Sequence, residues 1–304
     1  MQSAGLGGLE EYNGSIAHVN LTSVRSPWLK QQPCELCSIE APGVKGQEVL
    51  RLLCDDATNE KDAVTGLIRR IVTAADPPVT SAFSVLNLSK VVELFAAWRR
   101  GLKGVPPYYA VKCNPNPALL GALAALGAGF DCASPAEMDA VLALGVAADR
   151  VVYANPCKPE SHIQHAASVG VDITTFDSVE VDKLTRFHPR CRLLLRLKVP
   201  DVGDALLDLG TKYGARQEEV ARLLRAAQSA GLAVSGVAFH VGSAVSRVGV
   251  YDVAVEAAHA VFDAAAARGM PPMRVLDIGG GFMAGTASTF QDACDVINSA
   301  LTRC

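Results

Sequence analysis

The chain has 304 residues, of which 50% are hydrophobic and 19% charged. This composition supports a folded core and excludes a disordered chain, and the length corresponds to about two domains or one large α/β barrel. With 28 basic and 31 acidic residues the net charge is −3, so the basic excess of nucleic-acid-binding proteins is absent. The longest apolar stretch, from Ala118 to Phe130, is too short to cross a bilayer. We therefore expect neither a nucleic-acid partner nor a membrane.

The N-terminus and the cysteines favour a cytoplasmic location. The first residues lack the basic start and apolar block of a secretory signal, and Glu10 and Glu11 argue against a transit peptide. Nine cysteines are spread along the chain, an odd count that favours reduced thiols over a disulfide framework. Cys34 and Cys37 have the spacing of a metal-binding or redox pair, but zinc requires a second pair and a thioredoxin-type motif requires a βαβ setting. We expect no metal site.

Residues 1–80 form a first region of mixed polarity with no clear hydrophobic period. Within it, apolar residues recur at helical spacing, which predicts one helix from about Asp62 to Ala74. The sequence Asp76-Pro77-Pro78 is expected to end this helix, because proline cannot continue it. We treat this region as a separate N-terminal segment of partly irregular structure.

From residue 81 to 304, short β-rich runs alternate with helical stretches rich in alanine and leucine. The predicted strands are Phe83–Leu88, Tyr108–Cys113, Gly129–Cys132, Val151–Asn155, Asp172–Phe176, Arg192–Val199, Val234–Val241 and Val275–Ile278. The predicted helices include Lys90–Leu102, Pro117–Leu126, Pro135–Leu144, Glu218–Ala230 and Val250–Arg268. Nearly continuous apolar strands alternating with helices are typical of a parallel sheet covered by helices. So long a repeat, without a dinucleotide-type crossover, favours a closed (β/α)8 barrel over an open doubly wound sheet.

Functional side chains of such a barrel lie where the strands end. Lys112 ends a predicted strand among apolar residues, where partial desolvation favours the uncharged amine that can attack an aldehyde. Its position alone is equally compatible with a solvated lysine on a loop. Asp131 ends the next strand, and because Ser134 before Pro135 can cap the following helix, we expect the aspartate to face the mouth of the barrel.

Two more charged or titratable side chains belong to this group. Arg196 lies inside an otherwise apolar strand, where a charge is costly unless it meets a carboxylate or a phosphate, so Asp131 is its natural partner. His240 also ends a strand. A lone histidine in such a position is more often structural than catalytic, but it shares the predicted rim with Lys112.

Three consecutive glycines, Gly279, Gly280 and Gly281, follow the last predicted strand. Glycines allow a sharp backbone turn that points N–H groups at one oxyanion, which suits a phosphate. Glycine-rich turns are common, however, and this spacing differs from the dinucleotide motif. Pyridoxal phosphate fits the whole set, because its aldehyde suits the lysine, its phosphate the glycines and its ring the imidazole.

Six motifs, in this order, resemble the eukaryotic ornithine decarboxylase family, which comprises group IV, fold type III pyridoxal-phosphate decarboxylases: YYAVKCNPNP, GFDCASPAEM, RVVYANPCKPESHI, TTFDSVEVDKL, FHVGS and LDIGGGF. The match covers about Phe83 to Phe282, and the segment before it is similar to plant members. The resemblance implies a barrel of the alanine racemase and ornithine decarboxylase type. It also implies decarboxylation of L-ornithine to putrescine, the first step of polyamine biosynthesis.

The resemblance assigns pyridoxal 5′-phosphate as the cofactor and places residues around it. Lys112 stands where the family has its Schiff-base lysine, and His240 where a histidine stacks on the cofactor ring. The full set of implied cofactor-binding residues is Lys112, Asp131, Arg196, His240, Ser243, Gly279, Gly280 and Gly281. Related antizyme-inhibitor proteins, which do not bind the cofactor, tend to lose such residues, so their presence favours an enzyme. A homodimer and an antizyme-like regulator are the partners that the resemblance implies.

The chain departs from the family pattern after the glycines. The family continues with a last barrel strand carrying a Glu-Pro-Gly-Arg motif, and with a β-domain that completes the site across a dimer interface. Nothing in residues 286–304 matches these features, so we expect an incomplete barrel of seven strands, counted from that of Lys112, without the C-terminal β-domain. The alternative function is a catalytically inactive paralogue that acts as a binding or regulatory subunit. The substrate also remains open among ornithine, arginine, lysine and diaminopimelate.

Overall fold

The computed structural model describes residues 16–19, seven positions between 62 and 73, and residues 84–178, 180–199, 205–207, 213–245, 247–282 and 287–303. The chain divides into two compact units, Met1–Glu93 and Leu94–Cys304. In the first, β1 (Ile16–Val19) pairs in parallel with β2 (Ser84–Asn87). The seven described positions within the predicted helix over residues 62–74 are all helical. Cys34 and Cys37 lie outside the described residues, and the domain boundary near residue 80 stays a prediction.

The remaining elements alternate between strands and helices. The strands are β3 (Tyr108–Ala110), β4 (Gly129–Cys132), β5 (Val151–Tyr153), β6 (Ile173–Phe176), β7 (Arg192–Arg196), β8 (Ala205–Leu207), β9 (Ala233–Ala238), β10 (Ser243–Val245) and β11 (Val275–Asp277). The helices are α1 (Leu88–Gly101), α2 (Pro117–Leu126), α3 (Pro135–Leu142), α4 (Glu160–Val169), α5 (Val181–Phe187), α6 (Gln217–Ser229), α7 (Val250–Ala266) and α8 (Ala287–Arg303). None of the helices described is long and apolar enough to cross a membrane.

Seven strands form one parallel sheet in the order β11-β9-β7-β6-β5-β4-β3. This order follows the chain without a reversal, as in a (β/α)8 barrel and unlike a doubly wound sheet. The predicted α/β barrel architecture is therefore confirmed, with seven parallel strands from that of Lys112 onward in the part of the chain that the structure describes. A short antiparallel pair, β8 with β10, lies outside this sheet and was not predicted.

Two apolar clusters occupy the two faces of the sheet, because successive side chains of a strand point to opposite sides. The larger cluster packs strand residues such as Leu193 and Val237 against the helices. The smaller one joins Val152, Ile173, Leu194 and Ala238 on the inner face. A residue two positions after an inner-facing strand residue points to the same face. Near the end of a strand, such a residue therefore lies at the mouth of the barrel.

Helices α3 and α2 begin and end, respectively, at residues that satisfy free backbone groups of the helix. The Ser134 hydroxyl accepts a hydrogen bond from the N–H of Glu137 at 3.4 Å, with Pro135 in the first turn of α3. This confirms the predicted cap and leaves Asp131 available for another role. At the other end of a helix, α2 stops at Gly127, whose φ of 92° is left-handed.

Candidate active site

Lys112 lies just beyond β3, in the short 3₁₀ turn Val111–Cys113. The strand predicted over residues 108–113 is therefore three residues shorter, and the turn carries the amine past the apolar end of the strand. Its Nζ lies 3.7 Å from Oδ1 of Asp131, and the lysine side chain is 59% exposed. The expected partial desolvation of this amine is thus not observed in the structure, whereas its proximity to a carboxylate is.

Asp131 lies on the inner face, since its register partner in β5 is Val152. Its Oδ1 is buried and accepts no hydrogen bond. Burial raises the pKa of Asp131 to about 6, against the opposing charge of Lys112 and with a further increase from Asp277. A buried oxygen without a donor is an available acceptor for a proton-bearing group in the mouth of the barrel.

Arg196 ends β7 two residues after the inner-facing Leu194, and three aspartates act electrostatically on its guanidinium. Burial lowers the pKa of Arg196, and Asp277, Asp131 and Asp177 oppose this effect, in that order of strength. The predicted partnership with Asp131 is therefore an electrostatic interaction shared with two other aspartates.

Asp277, which has the largest carboxylate effect on Arg196, was not among the predicted site residues. Burial raises the pKa of Asp277, while the Gly279 N–H and Arg196 oppose the rise. The sequence could have indicated Asp277 as a site residue, because it is a polar residue at the end of a strand, β11.

His240 lies two residues beyond β9 and meets the glycines. Its Nδ1 accepts the N–H of Gly242 at 3.0 Å, which assigns the ring proton to Nε2. Burial lowers the pKa of His240 to about 4, and the positive charges of Arg196 and Lys112 lower it further, so the ring is neutral at pH 7. A Cβ atom at Gly280 would lie 2.8 Å from Nε2, so only glycine permits this approach.

Residues 279–281, which we call the glycine bend, turn sharply after β11. The φ angles of Gly279 and Gly281 are 65° and 108°, in the left-handed region that favours glycine. The N–H of Gly279 donates to Oδ1 of Asp277 at 2.8 Å. The N–H groups of Gly280 and Gly281 donate to no group in the described part of the chain. Two adjacent free amides of this kind can bind an anion.

The structure thus brings most of the predicted residues together. Lys112, Asp131 and Arg196, which belong to β3, β4 and β7 or to the turn that follows, interact electrostatically at one end of the sheet, and His240 joins them to the glycine bend. Ser243 begins β10, where its backbone pairs with Leu207, while its side chain lies outside the described part of the structure.

This arrangement fits pyridoxal phosphate. The fit rests on an accessible amine for the aldehyde, free amides for the phosphate, and a neutral imidazole with an unpartnered carboxylate oxygen for the ring. No group of three potential metal ligands occurs among the described residues.

Comparison with known proteins places this site in a family. A family model described as pyridoxal-dependent decarboxylase, pyridoxal binding domain, matches residues 88–304. The chloroplastic ornithine decarboxylase of Nicotiana glauca is 49% identical over 242 residues, which are 79% of this chain and 55% of that protein.

Two solved structures have the same fold. The arginine decarboxylase of Paramecium bursaria Chlorella virus, bound to agmatine, matches with a TM-score of 0.74 and 34% identity over 78% of this chain and 64% of that chain. The lysine decarboxylase of Selenomonas ruminantium matches with a TM-score of 0.71 and 38% identity over 81% of this chain and 63% of that chain. This chain therefore spans between 55% and 64% of the length of these three relatives.

The family model covers most of the chain and every residue of the site, from the lysine after β3 to the glycine bend after β11. The chain belongs to the pyridoxal-dependent decarboxylases and contains their pyridoxal-binding domain, whose cofactor is pyridoxal phosphate.

Proposed function

We propose that this chain supplies the cofactor-binding machinery of an enzyme that decarboxylates L-ornithine to putrescine in polyamine biosynthesis. The observation that carries the proposal is the meeting of Lys112, Asp131, His240 and the glycine bend at one end of the sheet. The choice of ornithine is supported by the 49% identity to the chloroplastic ornithine decarboxylase of Nicotiana glauca.

The residues of the site have distinct roles in this proposal. When bound, pyridoxal phosphate withdraws electrons from the α-carbon of an amino acid and so allows carbon dioxide to leave. Lys112 would hold the cofactor through its aldehyde, and an ammonium group must first lose a proton to react in this way. The carboxylate of Asp131, 3.7 Å away, can accept that proton.

The other residues orient and bind the cofactor. His240 presents a flat, neutral ring whose pKa of about 4 keeps it uncharged over the working pH range. The N–H groups of Gly280 and Gly281, which have no partner in the described part of the chain, would bind the phosphate, and Arg196 and Asp277 would set the charge at this end of the sheet. The homodimer, the antizyme-like regulator and the cytoplasmic location are further proposals that follow from the resemblance and the composition.

The test has two readouts on the same preparation. The protein is incubated with pyridoxal phosphate and reduced with borohydride, and the modified lysine is identified by mass spectrometry. We expect modification at Lys112, its loss in Lys112→Arg, and its retention in Lys103→Arg, since Lys103 is an exposed lysine outside the site. An unmodified Lys112 in the wild-type protein contradicts the cofactor assignment.

The second readout is release of labelled carbon dioxide from carboxyl-labelled L-ornithine, L-lysine and L-arginine. We expect L-ornithine to be the preferred substrate and putrescine the product, with no release by Lys112→Arg. Preference for another amino acid, or cofactor attachment without any release, contradicts the ornithine proposal for this chain.

A further inference from the structure

The glycine bend is held by a side chain from the outer layer of helices. The hydroxyl of Tyr251, in the first turn of α7, donates to the carbonyl oxygen of Gly280 at 3.1 Å. The hydroxyl oxygen also lies close to the next residue, because a Cβ atom at Gly281 would be 2.8 Å from it. Tyr251 therefore contacts Gly280 and Gly281, whose N–H groups have no partner among the residues that the structure describes.

The position of this hydroxyl is fixed by the packing of its ring. Tyr251 is 1% exposed and stacks on Phe282 with ring centroids 5.2 Å apart. Phe282 in turn contacts Trp98 edge-on at 4.8 Å. Burial raises the pKa of Tyr251, so its hydroxyl keeps the proton that it donates.

The geometry of the peptide bond links this contact to the direction of the Gly281 N–H group. The carbonyl of Gly280 and the N–H of Gly281 belong to one planar trans peptide, in which the two groups point in opposite directions. Since the carbonyl points at Tyr251, the N–H of Gly281 points away from α7. A hydrogen bond to a carbonyl also polarises its amide and makes the N–H of the same peptide a stronger donor.

We propose that Tyr251 is a positioning residue for the phosphate of the cofactor, which acts by holding the Gly280 carbonyl so that the Gly281 N–H faces the ligand. The identity of the ligand rests on the proposed function, whereas the orientation of the peptide does not. Asp277 fixes the other side of the glycine bend through the Gly279 N–H, but it lies in the adjoining strand. Tyr251 instead couples the bend to a helix that begins 29 residues before it.

The variant Tyr251→Phe tests this role because it keeps the ring and removes only the hydroxyl. Tyr153→Phe is the matched control, since Tyr153 is also 1% exposed and its hydroxyl has no hydrogen-bond partner. Affinity is measured by titration with pyridoxal phosphate and with pyridoxal, which has the aldehyde but no phosphate. We expect Tyr251→Phe to bind pyridoxal phosphate about three- to tenfold more weakly and pyridoxal unchanged. Tyr153→Phe should bind both as the wild type does.

A second measurement needs no cofactor. In protein labelled with ¹⁵N-glycine, we expect the amide signal of Gly281 to shift in Tyr251→Phe and to stay in place in Tyr153→Phe. An unshifted Gly281 signal and wild-type affinity in Tyr251→Phe together overturn the inference. An equal loss of affinity for both compounds also overturns it, because such a loss indicates general damage to the fold. If the wild type binds neither compound, the proposed function fails, whereas the Gly281 signal still shows whether the Tyr251 hydroxyl holds the Gly280–Gly281 peptide.

Discussion

Asp131 carries a partly exposed carboxylate of which one oxygen, Oδ1, is buried and accepts no hydrogen bond. Burial raises its pKa from 3.8 to about 6. The folded chain therefore binds this proton more tightly than the unfolded chain, and stability is lost as the pH rises from 3.8 to 6. A loss of folding stability of this kind is expected when a charged side chain serves to bind a ligand and does not stabilise the fold.

Replacement of this carboxylate should therefore stabilise the protein while impairing the site. We expect Asp131→Asn to raise the free energy of unfolding by about 1–2 kcal/mol above pH 6, less than the full pKa change implies because the side chain is 30% exposed. The gain should disappear below pH 4, where the aspartate is protonated in both states. Urea unfolding at several pH values measures it.

The same variant should attach pyridoxal phosphate more slowly, because an amide cannot take the proton from Lys112. Asp149→Asn is a suitable control, since Asp149 lies in the short 3₁₀ turn Ala148–Arg150 before β5. A variant at Asp131 that is less stable at pH 7.5 contradicts this reading of the site.

Sequence reasoning found the residues whose chemistry is visible in their type and position. Lys112, Asp131 and His240 are polar groups at the ends of apolar strands, and the structure brings all three to one end of the sheet. Tyr251 could not be found in this way, because a tyrosine among apolar residues in a helix has the pattern of an ordinary core residue. Only the fold brings its hydroxyl to the glycine bend.

At the scale of elements, the segments that follow β5 and β6 are joined by a buried ion pair. The side chain of Lys158 is fully buried, and its Nζ lies 3.2 Å from Oε2 of Glu180 and also donates to the carbonyl of Thr175. The other oxygen of Glu180 accepts the backbone N–H of Lys158 at 2.8 Å and Nζ of Lys183 at 2.6 Å. Nζ of Lys158 thus donates two hydrogen bonds and the carboxylate of Glu180 accepts three, which compensates for the burial of both charges.

Removal of Lys158 should leave the buried carboxylate of Glu180 paired only with the partly exposed Lys183. We expect Lys158→Met to lower the free energy of unfolding by about 3 kcal/mol, and the double variant Lys158→Met with Glu180→Leu to recover part of that loss. Lys183→Met is the control, because Lys183 is 36% exposed and its loss should cost about 1 kcal/mol or less. Equal losses in the two lysine variants, measured by urea unfolding, would show that burial does not govern this network.

The bounds of an element were predicted well where the hydrophobic pattern ends at a proline or a glycine. Helix α2 has the predicted bounds, since Pro117 and Gly127 mark its two ends, and β4 has the predicted bounds as well. Other strands stop short of their predicted ends, because apolar residues such as Val111 and Val241 remain buried after the chain leaves the sheet. Periodicity reports burial, and it cannot distinguish the last strand residue from the first buried residue of a loop.

At the scale of the whole molecule, the site exists only because the sheet gathers residues that are far apart in the chain. Lys112 belongs to the segment after β3, and the glycine bend to the segment after β11, at opposite ends of the strand order. In the part of the chain that the structure describes, β11 pairs with β9 alone. The position of the glycine bend therefore depends on this strand pairing as well as on the contact with Tyr251.

Gly236 controls the pairing between β9 and β11. It is the register partner of Val275, and it lies at an irregularity of β9 where the pairing with β7 shifts between Leu193 and Leu194. A Cβ atom at Gly236 would collide with the backbone carbonyl of Val275 and lie 2.9 Å from its Cβ. Backbone cannot yield as a flexible side chain does, so any side chain here must push β11 away.

We therefore expect Gly236→Ala to lower the free energy of unfolding by about 2–4 kcal/mol and to weaken pyridoxal phosphate binding more than tenfold, although residue 236 touches no part of the site. Hydrogen exchange should show why, since the peptide covering residues 275–282 should lose protection while the strands β4 to β7 keep theirs. Gly249→Ala is the control, because a Cβ atom there meets nothing within 4 Å and should change neither binding nor exchange. Full protection of residues 275–282 in Gly236→Ala would mean that β11 is held by contacts other than its pairing with β9. The glycine bend would then owe its position to the helical layer, through Tyr251 and Phe282.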